Sequence, residues 1–204
     1  MVLGSALDKK ALPPLKAIGQ LGNLFILAQG DAGLYILDQH VVHERILYES
    51  IERKHEQESL QAQMLLTPVT IELSAAEETL IEAYLPLFED FGIIIESFGA
   101  RNYLIRSMPV ETDKSPEEFI EDLLNALEEG LETKKPIQIK QELLISLSCK
   151  KAVKANWLLS IAEMQALLDK LRETRYPFIC PHGRPVVYEL PYTSLFKAFG
   201  RSAR

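Results

Sequence analysis

Two apolar strand-like runs feeding an amphipathic helix, a middle block alternating strand and helix, and a stiff closing stretch predict an α+β chain of two subdomains. One is expected to come from both ends of the chain, and the other, a small α/β unit, from the middle. The opening runs are Leu24-Phe25-Ile26-Leu27-Ala28 and Leu34-Tyr35-Ile36-Leu37. Between them Gln29-Gly30-Asp31-Ala32-Gly33 is rich in residues that tolerate positive φ, so the pair predicts an antiparallel hairpin. Both runs are apolar on both faces, which implies a sheet covered on each side, by helices or by a second copy of the chain.

The second run ends in Asp38-Gln39-His40-Val41-Val42-His43-Glu44. From Val41 to about Glu56 the apolar residues Val41, Val42, Ile46, Leu47 and Ile51 recur at helical spacing. On such a helix His40 and Glu44 lie four residues apart, share one face and can hold the same ion. Taken alone, the stretch is read equally well as an N-cap acid followed by a solvated His/Glu pair. His43 falls on the wrong side of the helix to join that pair and His55 in a charged tail, so both are expected to be solvated and without a role.

Gln63-Met64-Leu65-Leu66-Thr67-Pro68 is either a linker into the alternating strand Val69–Leu73 or a docking peptide that lays a glutamine and aliphatic side chains into a partner's groove. Ser74-Ala75-Ala76-Glu77 supplies a capping box for a helix to about Asp90. Ile93–Phe98 and Tyr103–Met108 read as strands, and Ser115-Pro116 opens a second helix. Residues 68 to about 133 therefore read as strand, helix, strand, strand, helix, without a cysteine or histidine, and end at Lys134-Lys135-Pro136.

Gln141 to Asn156 is helical in pattern and carries Cys149, with Lys150, Lys151 and Lys154 as the best local candidates for a phosphate backbone, or simply a solvated face. Ser160 caps a further helix to about Thr174 whose Met164, Leu167, Leu168 and Leu171 are core. In Tyr176-Pro177-Phe178-Ile179-Cys180-Pro181-His182-Gly183-Arg184-Pro185 three prolines restrict φ. If that segment is extended, Cys180 and His182 point to the same side and can share a metal.

With 47% hydrophobic and 25% charged residues, the 204-residue chain has ordinary globular composition, enough for one large or two small cores. A net charge of -7 repels nucleic acid on average, so DNA contact requires a local basic patch, a metal or a partner. No apolar run approaches the ~20 residues of a membrane span, and no secretory pattern opens the chain, so a cytoplasmic location is expected. Two cysteines then read as free thiols or metal ligands, with a Cys149–Cys180 bridge left open. Residues 1–16, with Gly4-Ser5 and Pro13-Pro14, read as a flexible lead-in.

The stretch from Asp38 through His40 and Glu44 to Glu49, the Ser148-Cys149-Lys150 segment and Cys180-Pro181-His182-Gly183-Arg184-Pro185 resemble the endonuclease-site motifs in the C-terminal domain of the MutL mismatch-repair family. The likeness runs from about Ala17 to Phe199. It departs from the family's DQHA motif only in Val41, which stands where alanine is usual. The resemblance implies a dimerisation subdomain from residues 17–62 and 134–204 carrying a metal site, and an external, regulatory subdomain from residues 63–133. It further implies metal binding by His40, Glu44, Cys149, Cys180 and His182, with Asp38 an acid essential to strand cleavage and Glu44 shared between metal and catalysis. Gln63, Met64, Leu65, Leu66 and Pro68 are similar to the family's segment for the replicative sliding clamp. The implied partners are a second identical chain, duplex DNA through Lys150, Lys151, Lys154 and Arg184, the clamp, and the mismatch-recognition protein MutS through the full-length protein.

Imidazole and thiolate suit zinc, and the added carboxylates leave room for a harder ion such as manganese, so two metals are expected, zinc shaping the site and the second ion serving cleavage. A metal takes the pKa of bound water from about 15.7 to roughly 7, on the order of 10 kcal/mol, far more than a lysine would give. The rival expectation is a catalytically inactive dimeric scaffold in which Cys149, Cys180, His182 and His40 close a structural zinc site. No glycine-rich phosphate loop is present, so no ATP hydrolysis is expected from this chain.

Overall fold

The computed structural model describes residues 11–58, 60–110, 112–128, 136–149 and 157–201. Two sheets and six helices occur among them. The chain divides into two compact units, one of Met1–Glu49 with Ala152–Arg204 and one of Ser50–Lys151.

The first unit holds a four-stranded antiparallel sheet in the order β1-β2-β3-β7, from Lys16–Leu21, Phe25–Gly30, Gly33–Asp38 and Val187–Pro191. The predicted hairpin is β2–β3, closed more tightly than expected, with Gly30 paired to Gly33 across Asp31-Ala32. Its side chains alternate: Ile26, Ala28, Tyr35 and Leu37 are buried, while Leu27, Leu34 and Ile36 on the opposite face are half-buried. The buried face packs against Met164, Leu168 and Leu171 of α5 (Ile161–Arg172) and Val41 and Val42 of α1 (Gln39–Gln57). The expected lead-in is shorter than 16 residues, because Leu12 and Leu15 are buried in this core and β1 begins at Lys16. Helix α6 (Tyr192–Ala198) follows β7.

In the second unit β4 (Ala62–Glu72), β5 (Ile94–Ser97) and β6 (Asn102–Pro109) form an antiparallel sheet in the order β4-β6-β5. Helices α2 (Ala75–Asp90), α3 (Pro116–Glu128) and α4 (Pro136–Cys149) complete it. Ser74 and Glu77 form the expected capping box on α2, and Ser115 Oγ accepts from Glu118 N at the start of α3. Tyr103 is buried on β6 and donates its hydroxyl to Glu82 and Glu78 at 2.9 and 3.2 Å. Burial first, and then these carboxylates, push its pKa up to about 12.

His55 corrects an expectation. It is not solvated: its side chain is largely shielded from water, with Nε2 2.7 Å from Asp90 Oδ2 and its ring stacked 4.1 Å from Phe91. The charged residues around it in sequence hid an inward position near the end of α1.

A Cβ added at Gly33 would lie 2.2 Å from the carbonyl oxygen of Leu190, a backbone atom that cannot swing aside. Gly33→Ala should therefore push β7 away from β3 and lower unfolding stability by about 2 kcal/mol, read by urea denaturation with an unchanged slope.

Candidate metal and nuclease site

Asp38 ends β3 and caps α1. Its Oδ1 accepts from His40 N at 3.0 Å and Val41 N at 3.1 Å, satisfying two donors that the first helical turn leaves open. Its own N–H donates to Val186 O, tying the strand end to the chain just past Pro185. One turn into the helix, His40 Nε2 stands 3.1 Å from Glu44 Oε1, with the imidazole partly open to solvent and the carboxylate largely shielded. The expected shared face is thus present. His43 is half-buried rather than solvated, and burial, then the Lys170 cation, then His40 hold its pKa below the usual imidazole value.

The Cys180 segment is not extended as assumed. Gly183 N donates to Cys180 O, Cys180 N to Arg184 O, and an Ile179–Pro185 bridge closes the turn. Gly183 sits at φ 80°, a left-handed conformation that glycine adopts without cost. The turn buries the free Cys180 thiol and leaves His182 exposed, so the two do not project as an extended strand would project them. In exchange, Arg184 N donates to Cys180 Sγ at 3.2 Å, closing the turn around the sulfur.

Two features escaped the sequence reading. Gln39 is buried and bonds Gln20 and Trp157 O, while Gln20 also accepts from Leu159 N, so a pair of amides joins β1, α1 and the lead into α5. Arg45 and Glu49 are buried as well, Nη1 to Oε1 3.6 Å, at the helical positions that continue Val41 and Val42 inward. Charged residues falling on an apolar stripe were the available signal.

The donor types suit a divalent ion: an imidazole and carboxylate meet on α1, and the Cys180 turn carries a sulfur and a second imidazole. Among the described residues, however, no three His, Cys, Asp or Glu side chains cluster tightly enough to hold one ion. The Cys149 side chain lies outside the described residues, as do Lys150, Lys151 and Lys154. Arg184 is exposed.

In the other unit, Gln63-Met64-Leu65-Leu66-Thr67-Pro68 belongs to β4 rather than to a linker. Gln63 and Met64 pair with Met108 and Ser107 of β6, and the register then shifts before Val69. Met64 is exposed and Leu66 fully so, on an edge strand.

Residues 18–159 match the family model described as the MutL C-terminal dimerisation domain. The chain belongs to this family. It is 39% identical over 198 residues to the DNA mismatch repair protein MutL of Anoxybacillus flavithermus, covering 96% of this chain and 32% of that protein. For the proteins of the same name in Halothermothrix orenii and Staphylococcus aureus the identities are 34% and 37%, each over 95% of this chain and 30% and 29% of theirs. The chain spans about a third of the length of these relatives. The MutL family match stops at 159, so the Cys180 turn falls outside the matched residues but inside the stretch shared with the relatives.

Capping and chemistry make separable demands on Asp38. Asparagine caps as well as aspartate, so Asp38→Asn should leave thermal stability within a few tenths of a kcal/mol, whereas Asp38→Ala should cost about 1 kcal/mol.

Proposed function

We propose that this chain is the dimerising, metal-dependent endonuclease portion of a mismatch-repair MutL, cutting one strand of duplex DNA. The observation that carries this reading is the junction of β3 and α1, where Asp38 is held by two backbone N–H groups one turn from the paired His40 and Glu44. The resemblance of these residues and of the Cys180 turn to the family's nuclease motifs, together with family membership, supports it.

In this reading His40, Glu44, Cys180 and His182 hold divalent ions together with Cys149, zinc shaping the site and manganese or a similar ion serving cleavage. The bound ions would activate the attacking water and neutralise charge developing on the phosphoryl oxygens. Asp38, already fixed by the helix it caps, orients the groups at the reacting centre, and Arg184 with Lys150, Lys151 and Lys154 meets the DNA backbone. With a net charge of -7 the chain should bind DNA weakly by itself. Gln63, Met64, Leu65, Leu66 and Pro68 dock the sliding clamp, a role that exposed aliphatic side chains on an edge strand suit. MutS is then reached through the rest of the full-length protein. Action on DNA would place the chain in the cytoplasm; no helix among the described residues is long and apolar enough to cross a membrane.

The dimerising role belongs to the unit of Met1–Glu49 and Ala152–Arg204, and regulation to the unit of Ser50–Lys151. The outward face of the four-stranded sheet supports this. Leu21, Phe25 and Tyr188 are exposed there, and Leu27, Leu34, Ile36 and Leu190 half-buried, an apolar surface of the kind that a second copy covers.

Two measurements test the proposal. Asp38→Asn should abolish manganese-dependent nicking of circular duplex DNA while keeping parental stability; parental nicking would remove the acid from the mechanism, and a parent that binds zinc but never nicks, with or without clamp, would favour the inactive scaffold. Ile36→Arg should shift the chain from dimer to monomer in light scattering by placing charge in the middle of the covered face.

A further inference from the structure

The geometry points to Arg45 and Glu49 as positioning residues that lock the segment carrying Cys180 and His182 onto helix α1. The carboxylate of Glu49 accepts from two successive backbone groups, Arg175 N at 2.7 Å and Tyr176 N at 3.1 Å. Arg45 donates Nε to Ile179 O at 2.7 Å, the carbonyl immediately before Cys180. Its guanidinium carbon lies 5.4 Å from the centre of the Tyr48 ring and 6.0 Å from that of Tyr176. The two side chains face each other at 3.6 Å and are almost wholly withdrawn from water.

This arrangement is unlike a surface ion pair. Both charges direct hydrogen bonds at main-chain groups of residues 175–179, which belong to no helix or strand. The clamp thus grips the chain at Arg175, Tyr176 and Ile179, leaving the Cys180–Arg184 turn to begin from a fixed carbonyl. Because Arg45 neighbours Glu44 in sequence, the helical turn that presents Glu44 also sets where the Cys180 turn starts. Neither residue need touch metal or DNA: they act through Cys180 and His182, in the way that outer partners orient metal ligands. The inference rests on the proposed metal reading only for its consequence; the grip itself stands on the contacts.

The test uses the whole chain stripped of metal with a chelator. Alkylation of Cys180 by iodoacetamide is followed by peptide mass spectrometry, which separates it from Cys149, together with amide hydrogen exchange. Glu49→Ala should speed Cys180 alkylation at least about ten-fold and raise exchange in the peptide spanning 175–185, with the rest of the chain unchanged. Glu49→Gln keeps one carbonyl acceptor for the two N–H groups and should fall between Glu49→Ala and the parent, a graded rescue. Arg45→Lys, which cannot reproduce the Nε contact to Ile179, should also expose the thiol. Alkylation within twofold of the parent in all three variants would overturn the clamp, and so would exchange rising uniformly along the chain, which would mark these residues as general core. A second arm reads cobalt(II): the thiolate-to-cobalt absorption of the parent should weaken in Glu49→Ala, with affinity lower by about 10- to 100-fold. A parent showing no such absorption would count against the metal reading, while the alkylation arm would still judge the clamp.

Discussion

The first unit depends on satisfying the main chain of a segment that has no secondary structure of its own. Where such a loop is partly withdrawn from water, its shielded peptide groups must find partners or lose the free energy of every one left bare. Between Arg175 and Val186 those partners come from side chains of α1, from the end of β3 and from the turn itself: Glu49, Arg45, Val186 O to Asp38 N, and the Cys180–Arg184 contacts. Removing two charges from water costs several kcal/mol per ion, and their mutual attraction rarely more than balances that. What the buried pair contributes is therefore less net stability than a single geometry for the segment it holds.

A sheet with one face packed inward and the other apolar and partly exposed leaves burial unfinished among the described residues. Ile26, Ala28, Tyr35 and Leu37 contribute to the core by period-two alternation, and their neighbours Leu27, Leu34 and Ile36 are no more polar. A lone antiparallel sheet facing solvent would be expected to carry polar residues there. Hydrophobic gain is still available on that face to a covering surface, and taking it up needs no specific polar contact.

Legibility followed from how local each cause was. The capping boxes at Ser74 and Ser160, the β2–β3 hairpin and the His40/Glu44 face depend on residues within four positions of one another, and each is where sequence put it. β1 and β7 were missed because Gly19 and Pro191 break their patterns, and both strands form only by pairing with a hairpin distant from at least one of them in sequence. His55 and Cys180 failed in the same manner. Charged neighbours suggested exposure for one and prolines suggested extension for the other, yet Asp90 with Phe91 and the Gly183 turn decided the outcome.

The helix α1 explains why the candidate site was only half readable. A sequence reader assigns its apolar stripe to Val41, Val42, Ile46, Leu47 and Ile51, but Ile46 and Leu47 are only half-buried while Glu44, Arg45, Tyr48 and Glu49 lie inside. Rotating the buried stripe onto charged residues is unfavourable unless every charge is met, so the helix must be oriented by its polar partners as much as by its apolar ones. Hydrophobic periodicity alone therefore places the axis of α1 but misjudges its rotation. The same rotation that turns Arg45 and Glu49 toward residues 175–179 leaves His40 at the edge of solvent with Glu44 beside it.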